Sequence, residues 1–254
     1  MMATIRSLTV GMTALLLAFG AQAQQEQQDA FPLPPKEWPH PVMDQPVIPF
    51  LLVDRLEYRW QSGDNLRVWD VQGWVGGDYN KLWLKSEGSD APGGPTEEAD
   101  IEILYARLVS PFWYLQAGVR HELEPSPSRT SLAFGIQGLV PYQFEVEATG
   151  YVDERGKFSA SMEAEYDLLL TQRLILQPRL ETSFSTSGER ARGVGRGFNE
   201  LEVGLRLRYE IRRQFAPYIG VTWSRKLGET ADFARTANED VRETSIVAGL
   251  RIWF

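Results

Sequence analysis

The chain has 254 residues, 43% of them hydrophobic, a formal net charge of −8 and no cysteine. The acidic balance argues against nucleic-acid binding, which needs a basic surface, and the lack of cysteine excludes disulfides and thiolate metal ligands. The mean hydropathy of −0.29 fits a soluble all-β protein and a membrane barrel equally well, because barrel strands alternate apolar and polar residues.

The first 23 residues have the features of a secretory signal peptide. One positive charge, Arg6, precedes a short apolar run over residues 10–20, and an Ala-x-Ala cleavage site follows at residues 21–23. The apolar run is too short to span a bilayer. We therefore expect the mature chain to begin at Gln24 and to act outside the cytoplasm.

Residues 24–49 form a second segment, rich first in glutamine and then in proline. So many prolines leave few backbone N–H donors for a sheet and favour an extended chain. We expect this segment to be a disordered, Pro-rich tail in the periplasm.

Residues 50–254 predict one strand after another. In the final strand, Ile246, Ala248 and Leu250 alternate with more polar neighbours, and the chain stops on Phe254. This period of two is typical of a strand with lipid on one side and water on the other, although the last strand of a soluble β-sandwich would look similar. The predicted strands are 50–60, 66–75, 79–87, 98–108, 112–122, 130–140, 142–152, 157–168, 173–184, 198–211, 215–226 and 243–254.

The predicted connections favour the barrel over the sandwich. Long connections at 88–97, 123–129, 185–197 and 227–242 alternate with brief ones, such as the turns at 76–78 and 212–214. Short turns at one end and long loops at the other are the arrangement of outer-membrane barrels. The sequence thus predicts an all-β, transmembrane antiparallel β-barrel of about twelve strands, or ten if two weak strands merge, in the bacterial outer membrane.

The strand faces opposite the apolar sets are heavily charged, and we expect them to line the lumen. Two interpretations remain open: arginines and glutamates pair across strands and plug the barrel, or an acidic, hydrated path attracts cations. The carboxylates expected inside are Glu145, Glu147, Glu163, Glu165, Asp167, Glu181, Glu200, Glu202 and Glu210, against Arg179, Arg206 and Arg208.

Several long motifs resemble one known family. They read NKLWLKSEG at 80–88, AEYDLLLTQRLILQPR at 164–179, GLRLRYEIR at 204–212 and FAPY at 215–218, and residues 113–122 and 135–151 agree. From about Leu51 to Phe254 the chain is similar to the outer-membrane copper resistance protein B family (CopB/PcoB). The resemblance implies an outer-membrane barrel in copper homeostasis, acting beside a periplasmic multicopper oxidase and small copper-binding proteins.

The resemblance implies an N-terminal tail rich in Met and His, and the tail of this chain departs from that pattern. Here the tail offers only His40, Met43 and Asp44 as copper ligands. Imidazole and thioether suit Cu(I), and imidazole also suits Cu(II), but so few ligands predict weak, exchangeable binding. In the lumen, Glu147 and Glu163 are the carboxylates that we expect to attract the ion.

His121 is the second histidine of the mature chain. His121 lies two residues after Val119, so we expect its side chain to point outward at the rim of the barrel, as a polar residue in the headgroup region. A bulge would instead turn it towards Glu122. We include it among the candidate metal residues.

The sequence predicts no enzyme, because His121 alone in the barrel cannot supply a nucleophile–base pair and its orienting group. We expect a barrel that binds copper ions weakly and moves them across the outer membrane or sequesters them there. The alternative is a structural or general cation-permeable barrel without specific copper binding. Membrane lipid and copper ions are the expected partners.

Overall fold

The structure is a computed structural model and describes residues 46–94 and 96–254. The predicted signal peptide and nearly all of the predicted tail lie outside the described residues. Twelve barrel strands are present, one of them interrupted, so there are thirteen strand segments. They are β1 (Ile48–Trp60), β2 (Leu66–Gly76), β3 (Asn80–Asp90), β4 (Thr96–Ser110), β5 (Trp113–Glu124), β6 (Arg129–Val140), β7 (Phe144–Asp153), β8 (Phe158–Glu165), β9 (Leu168–Leu169), β10 (Leu174–Ser185), β11 (Gly197–Tyr209), β12 (Phe215–Lys226) and β13 (Arg242–Trp253).

Every strand pairs antiparallel with its neighbours, and the sheet closes on itself. β8 and β9 both pair with β10 and form one interrupted strand, β10 pairs with β11, and β13 pairs with β1. The seam between β13 and β1 is tied by Phe254 N–H, which donates to the Leu51 carbonyl at 2.9 Å. Closure leaves no unpaired sheet edge, the condition for a sheet that crosses a membrane. The predicted twelve-stranded barrel is confirmed.

Side chains in the barrel are distributed inside out relative to a soluble protein. Large apolar side chains are exposed on the outer face, for example Ile219 at 63%. Charged side chains are buried inside, and Arg179 and Arg206 are only 3% and 2% exposed. Lipid is as apolar as these outer side chains, so exposing them to lipid costs no free energy. Because successive side chains alternate between the two faces of a strand, the charged ones then point inward.

The connections are segregated as predicted, although the strands run further into the loops than expected. One end of the barrel, here called the long-loop end, carries the segments 61–65, 91–95, 125–128, 154–157, 186–196 and 227–241. The other, the short-turn end, carries 77–79, 111–112, 141–143, 170–173 and 210–214.

The last loop contains a helix that the strand pattern did not predict, α1 (Gly228–Ala237). Ala231 and Ala234 are buried, and the Thr230 hydroxyl accepts a hydrogen bond from Gly195 N–H at 2.8 Å. Ten residues form a marginal helix alone, so contacts with the neighbouring loop supply its stability. Across residues 46–94 and 96–254, no helix is long and apolar enough to cross a membrane.

A β-bulge interrupts β1. Between Val53 and Leu56 the strand has two residues, Asp54 and Arg55, where its partner β13 has only Arg251. The register with β2 shifts at the same place. A bulge turns consecutive side chains towards one face, and here both Asp54 and Arg55 contact charged groups inside the barrel.

Candidate functional site

The lumen is crossed by ion pairs between strands that are not neighbours in the ring. Arg59 on β1 binds Glu202 on β11 at 2.7 Å, although β12 and β13 separate these strands. Arg206 on β11 binds Glu57 on β1 at 2.9 Å. Because such bonds join strands three places apart in the ring of twelve, they pass through the lumen and narrow the space through which a solute would pass.

Glu57 shows how completely these groups are satisfied. Its carboxylate accepts from Arg206, from Arg59 at 2.8 Å and from the Tyr218 hydroxyl at 3.1 Å. Its side chain has no exposed surface. A carboxylate can remain charged in such a place only when donors surround it.

Arg179, midway along β10, contacts four carboxylates. Its guanidinium binds Glu163 with two hydrogen bonds of 2.6 and 2.7 Å. Glu165 and Glu181 each have an oxygen 3.0 Å from it, and Glu202 has one at 3.6 Å. We call these four residues the carboxylate cage. The cage is the densest group of acids around one cation that the ion pairs of the described residues form.

A second group surrounds the bulge in the half of the lumen nearer the short-turn end. Asp54 binds Arg251 at 2.6 Å, and Arg55 binds Asp70 at 3.1 Å and also Glu87. The cavity here is too narrow to hold a water molecule. Its lining residues are Asp54, Arg55, Glu165, Gln177, Arg206, Arg208, Tyr218 and Arg251.

On the side of the lumen formed by β2 to β7, apolar and aromatic side chains lie among the charged ones. Trp83, Leu104 and Tyr151 belong to a small apolar cluster, and Lys81 lies with its ammonium 4.1 Å from the ring centre of Trp74. The Tyr151 hydroxyl donates to Glu102 at 2.8 Å. Aromatic rings therefore pack beside charged and hydrogen-bonded groups on this side of the lumen.

The loop 186–196 folds over the long-loop end. Arg192 from this loop is buried and donates to Glu122 at 2.6 Å and to the Pro127 carbonyl at 2.5 Å. Glu189 accepts from Arg129 at 3.4 Å and from Arg155 at 3.2 Å. Burial lowers the pKa of Arg192, but an arginine stays charged at neutral pH. These contacts fasten the loop to β5 and β6.

The predicted metal residues do not meet at one place. Glu147 binds Lys85 at 2.6 Å, and Glu163 belongs to the carboxylate cage. His121 is exposed, as its parity predicted, and its Nδ1 lies 2.9 Å from the Thr130 hydroxyl. His40, Met43 and Asp44 lie outside the described residues. Within 46–94 and 96–254, no three His, Asp or Glu side chains are grouped so as to hold a metal ion.

Two of the acids expected in the lumen lie near its short-turn end. Glu210 is in the turn after β11, where it binds Arg213 at 2.6 Å and its side chain is 13% exposed. Glu145, near the start of β7, pairs with Glu165 and is exposed.

Three cations in the lumen were not predicted from the sequence. They are Arg55, Arg59 and Lys85. Those on β1 follow a bulge that reverses the parity of the strand, and β3 shows too little alternation to assign Lys85 to a face. Some pairs could have been predicted by looking for an Arg and a Glu on the inner faces of two paired strands. Arg179 and Glu163 are such a pair.

Comparison with known proteins gives a consistent result. The family model described as "Copper resistance protein B precursor (CopB)" matches residues 47–254. The chain is 46% identical over 217 residues to Copper resistance protein B of Escherichia coli, covering 85% of this chain and 72% of that protein. It is 41% identical over 249 residues to a Copper resistance protein B homolog of Pseudomonas syringae pv. tomato, covering 94% and 84%.

Among solved structures, the barrel is similar to the NanC porin, with a TM-score of 0.53. The match covers 80% of this chain and 98% of the porin at 11% sequence identity. At that identity the similarity concerns the fold alone: both chains are closed barrels of the outer-membrane type.

Proposed function

Since this chain belongs to the copper resistance protein B family, we propose that its barrel handles copper ions at the bacterial outer membrane. In this proposal copper is a cargo that binds weakly and either crosses the membrane or is held there. The long-loop end faces the outside, and the short-turn end, with the tail, faces the periplasm. A periplasmic multicopper oxidase and small copper-binding proteins would exchange ions with it. No catalytic step is proposed for this chain.

The observation that carries the proposal is the excess of carboxylates at the centre of the lumen. Four carboxylates surround Arg179, so acidic groups outnumber the arginines of this group even when Arg59 is counted. An acidic lumen with low-dielectric walls raises the local concentration of cations. Carboxylate oxygens are poor ligands for Cu(I) but adequate, weak ones for Cu(II).

The tail would supply the softer ligands. His40 and Met43 offer an imidazole and a thioether three residues apart, with Asp44 beside them. Two such ligands bind modestly and exchange quickly, as suits a tail that collects an ion at the mouth and releases it. His121, exposed and bound to Thr130, would at most meet the ion at the opposite rim.

Copper content of cells tests this function. Three kinds of cell are loaded with a copper salt: those that carry the gene, those that lack it, and those that carry the double variant Glu147→Gln with Glu163→Gln. The copper content of whole cells and of the periplasm is then measured. We expect the deletion to change the copper content and the double variant to resemble the deletion. Equal copper in the cells with and without the gene would overturn the proposal.

A structural barrel is the second candidate, because the ion pairs cross the lumen and the cavity beside the bulge excludes a water-sized sphere. Such a barrel would stabilise the membrane or anchor other proteins and would need no open path. It predicts no conductance in planar bilayers for the wild type and no effect of lumen variants on copper content.

A further inference from the structure

We propose that Arg179 determines the ion selectivity and the conductance of the lumen, by acting as the built-in counter-ion of the carboxylate cage. The inference rests on the proposed function, in which cations pass this point, and names the side chain that controls their passage.

The first argument is the ratio of charges. One guanidinium faces Glu163, Glu165, Glu181 and Glu202. Of these, only Glu202 has a second arginine, Arg59, in hydrogen-bonding contact. If Arg179 were absent, the three remaining carboxylates would have to take up protons or recruit cations from solution, as rings of acids do in cation channels. Arg179 thus holds the position that a permeating cation would otherwise take.

The second argument is that Arg179 binds the cage incompletely. A guanidinium has five N–H donors. Nη1 makes no hydrogen bond to any described residue, and the Glu202 oxygen it faces is 3.6 Å away. Oε1 of Glu165 is likewise without a hydrogen bond, although it lies 3.0 Å from Nε. Arg206 and Arg208 also leave Nη1 without a hydrogen bond, so what distinguishes Arg179 is that its incompletely bound guanidinium faces four carboxylates.

The third argument is location. Arg179 is opposite Gly204 on β11 and Glu165 on β8, midway along β10, and its side chain is 2% exposed. Gly204 has no side chain, and the guanidinium of Arg206 lies over it. A long cationic side chain in the middle of the barrel both narrows the path and repels cations that enter it.

The test is ion conductance of the refolded full-length protein in planar bilayers with a KCl gradient. Arg179→Met keeps an unbranched, flexible side chain but shortens it and removes the guanidinium with its charge. We expect higher conductance and a preference for K⁺ over Cl⁻ that rises roughly tenfold, the lower end of what focused charge achieves. Arg179→Lys keeps the charge and should stay near the wild type, although a lysine cannot bind Glu163 in the same bidentate way.

Arg208→Met is the matched control. Arg208 is as buried as Arg179, but it binds one carboxylate, Asp167, which also lies 4.0 Å from Arg251. The variant removes the same charge without exposing a cage. We therefore expect a much smaller change in selectivity than in Arg179→Met.

A double variant separates charge from obstruction and covers a failure to fold. In Arg179→Met with Glu163→Gln the net charge of the group is unchanged, so folding should be preserved, conductance should still rise, and selectivity should return to that of the wild type. A folded Arg179→Met or double variant with wild-type conductance and reversal potential would overturn the role of Arg179. Because only K⁺ and Cl⁻ are used, that outcome is distinct from a failure of the copper proposal, which the copper content of cells decides.

Discussion

The Lys85 ammonium lies 2.6 Å from the Glu147 carboxylate, although their strands, β3 and β7, are separated in the ring by three others. The pair therefore runs across the lumen. It also means that Glu147, one of the carboxylates expected to attract metal, already has a cationic partner. A copper ion that used Glu147 would have to compete with Lys85.

Replacing Lys85 should destabilise the barrel, because Glu147 is only partly exposed and would lose its partner. We expect Lys85→Met to lower the free energy of unfolding by roughly 1–3 kcal/mol, the cost of leaving a charged group unpaired. Urea unfolding of the protein in lipid vesicles measures this. Lys85→Met with Glu147→Gln should recover most of the loss, and if the double variant is no more stable than the single one, the pair does not stabilise the fold.

Cysteine labelling tests the orientation of the barrel. The native chain has no cysteine, so each introduced thiol is unique. Cysteines at Ser128 and Ala191, exposed at the long-loop end, should react with an impermeant reagent on intact cells. Those at Asp78 and Gln214, exposed at the short-turn end, should react only after the membrane is opened. The reverse pattern would invert the topology, and uniform labelling would contradict it.

Removal of residues 24–46 should weaken copper binding without unfolding the barrel, because the seam between β1 and β13 begins beyond this segment. Titration calorimetry with a copper salt on the full-length and shortened proteins gives the comparison. His40→Ala with Met43→Ala in the full-length chain is the control for length, and it should lose as much affinity as the truncation. Identical binding by all three proteins would make the tail a linker and leave the metal site to the barrel.

Replacing Arg192 should loosen the loop 186–196, since this side chain is its buried contact with Glu122 and with the Pro127 carbonyl. For Arg192→Ala we expect proteinase K to cleave the loop about tenfold faster, which corresponds to about 1.4 kcal/mol of local stability. Arg196→Ala is the control, because Arg196 is exposed and its contact with Glu229 is through the backbone N–H. Equal cleavage rates would show that Arg192 does not hold the loop.

The strands were predictable because lipid and lumen impose opposite requirements on alternate residues. On β11, for example, Val203 and Leu205 face outward while Arg206 and Arg208 are buried. Helix α1 could not be predicted in this way. Its sequence has few apolar residues, and what stabilises it is contact with a distant loop, as in the bond between Thr230 and Gly195.

The partners inside the lumen were less predictable than the strands. Parity assigns a side chain to the inside but does not say which group it meets there. The contacts of Arg59 with Glu202 and of Lys85 with Glu147 depend on which strands face each other across the ring. That relationship follows from closure and strand tilt, quantities that the local pattern does not contain.

The bulge in β1 decides where this strand tolerates a change of length. It is the extra residue at Asp54 that lets both Asp54 and Arg55 contact the lumen while Leu56 faces outward. In-frame loss of the Asp54 codon would place Arg55 opposite Arg251 and leave the pairing of the residues on both sides of the bulge unchanged. Loss of a codon at a regularly paired position of β1 would instead shift part of the strand by one place, and in a strand with a period of two that shift exchanges lipid-facing and lumen-facing residues. A one-codon deletion at Asp54 would therefore harm the barrel less than the same deletion elsewhere in β1.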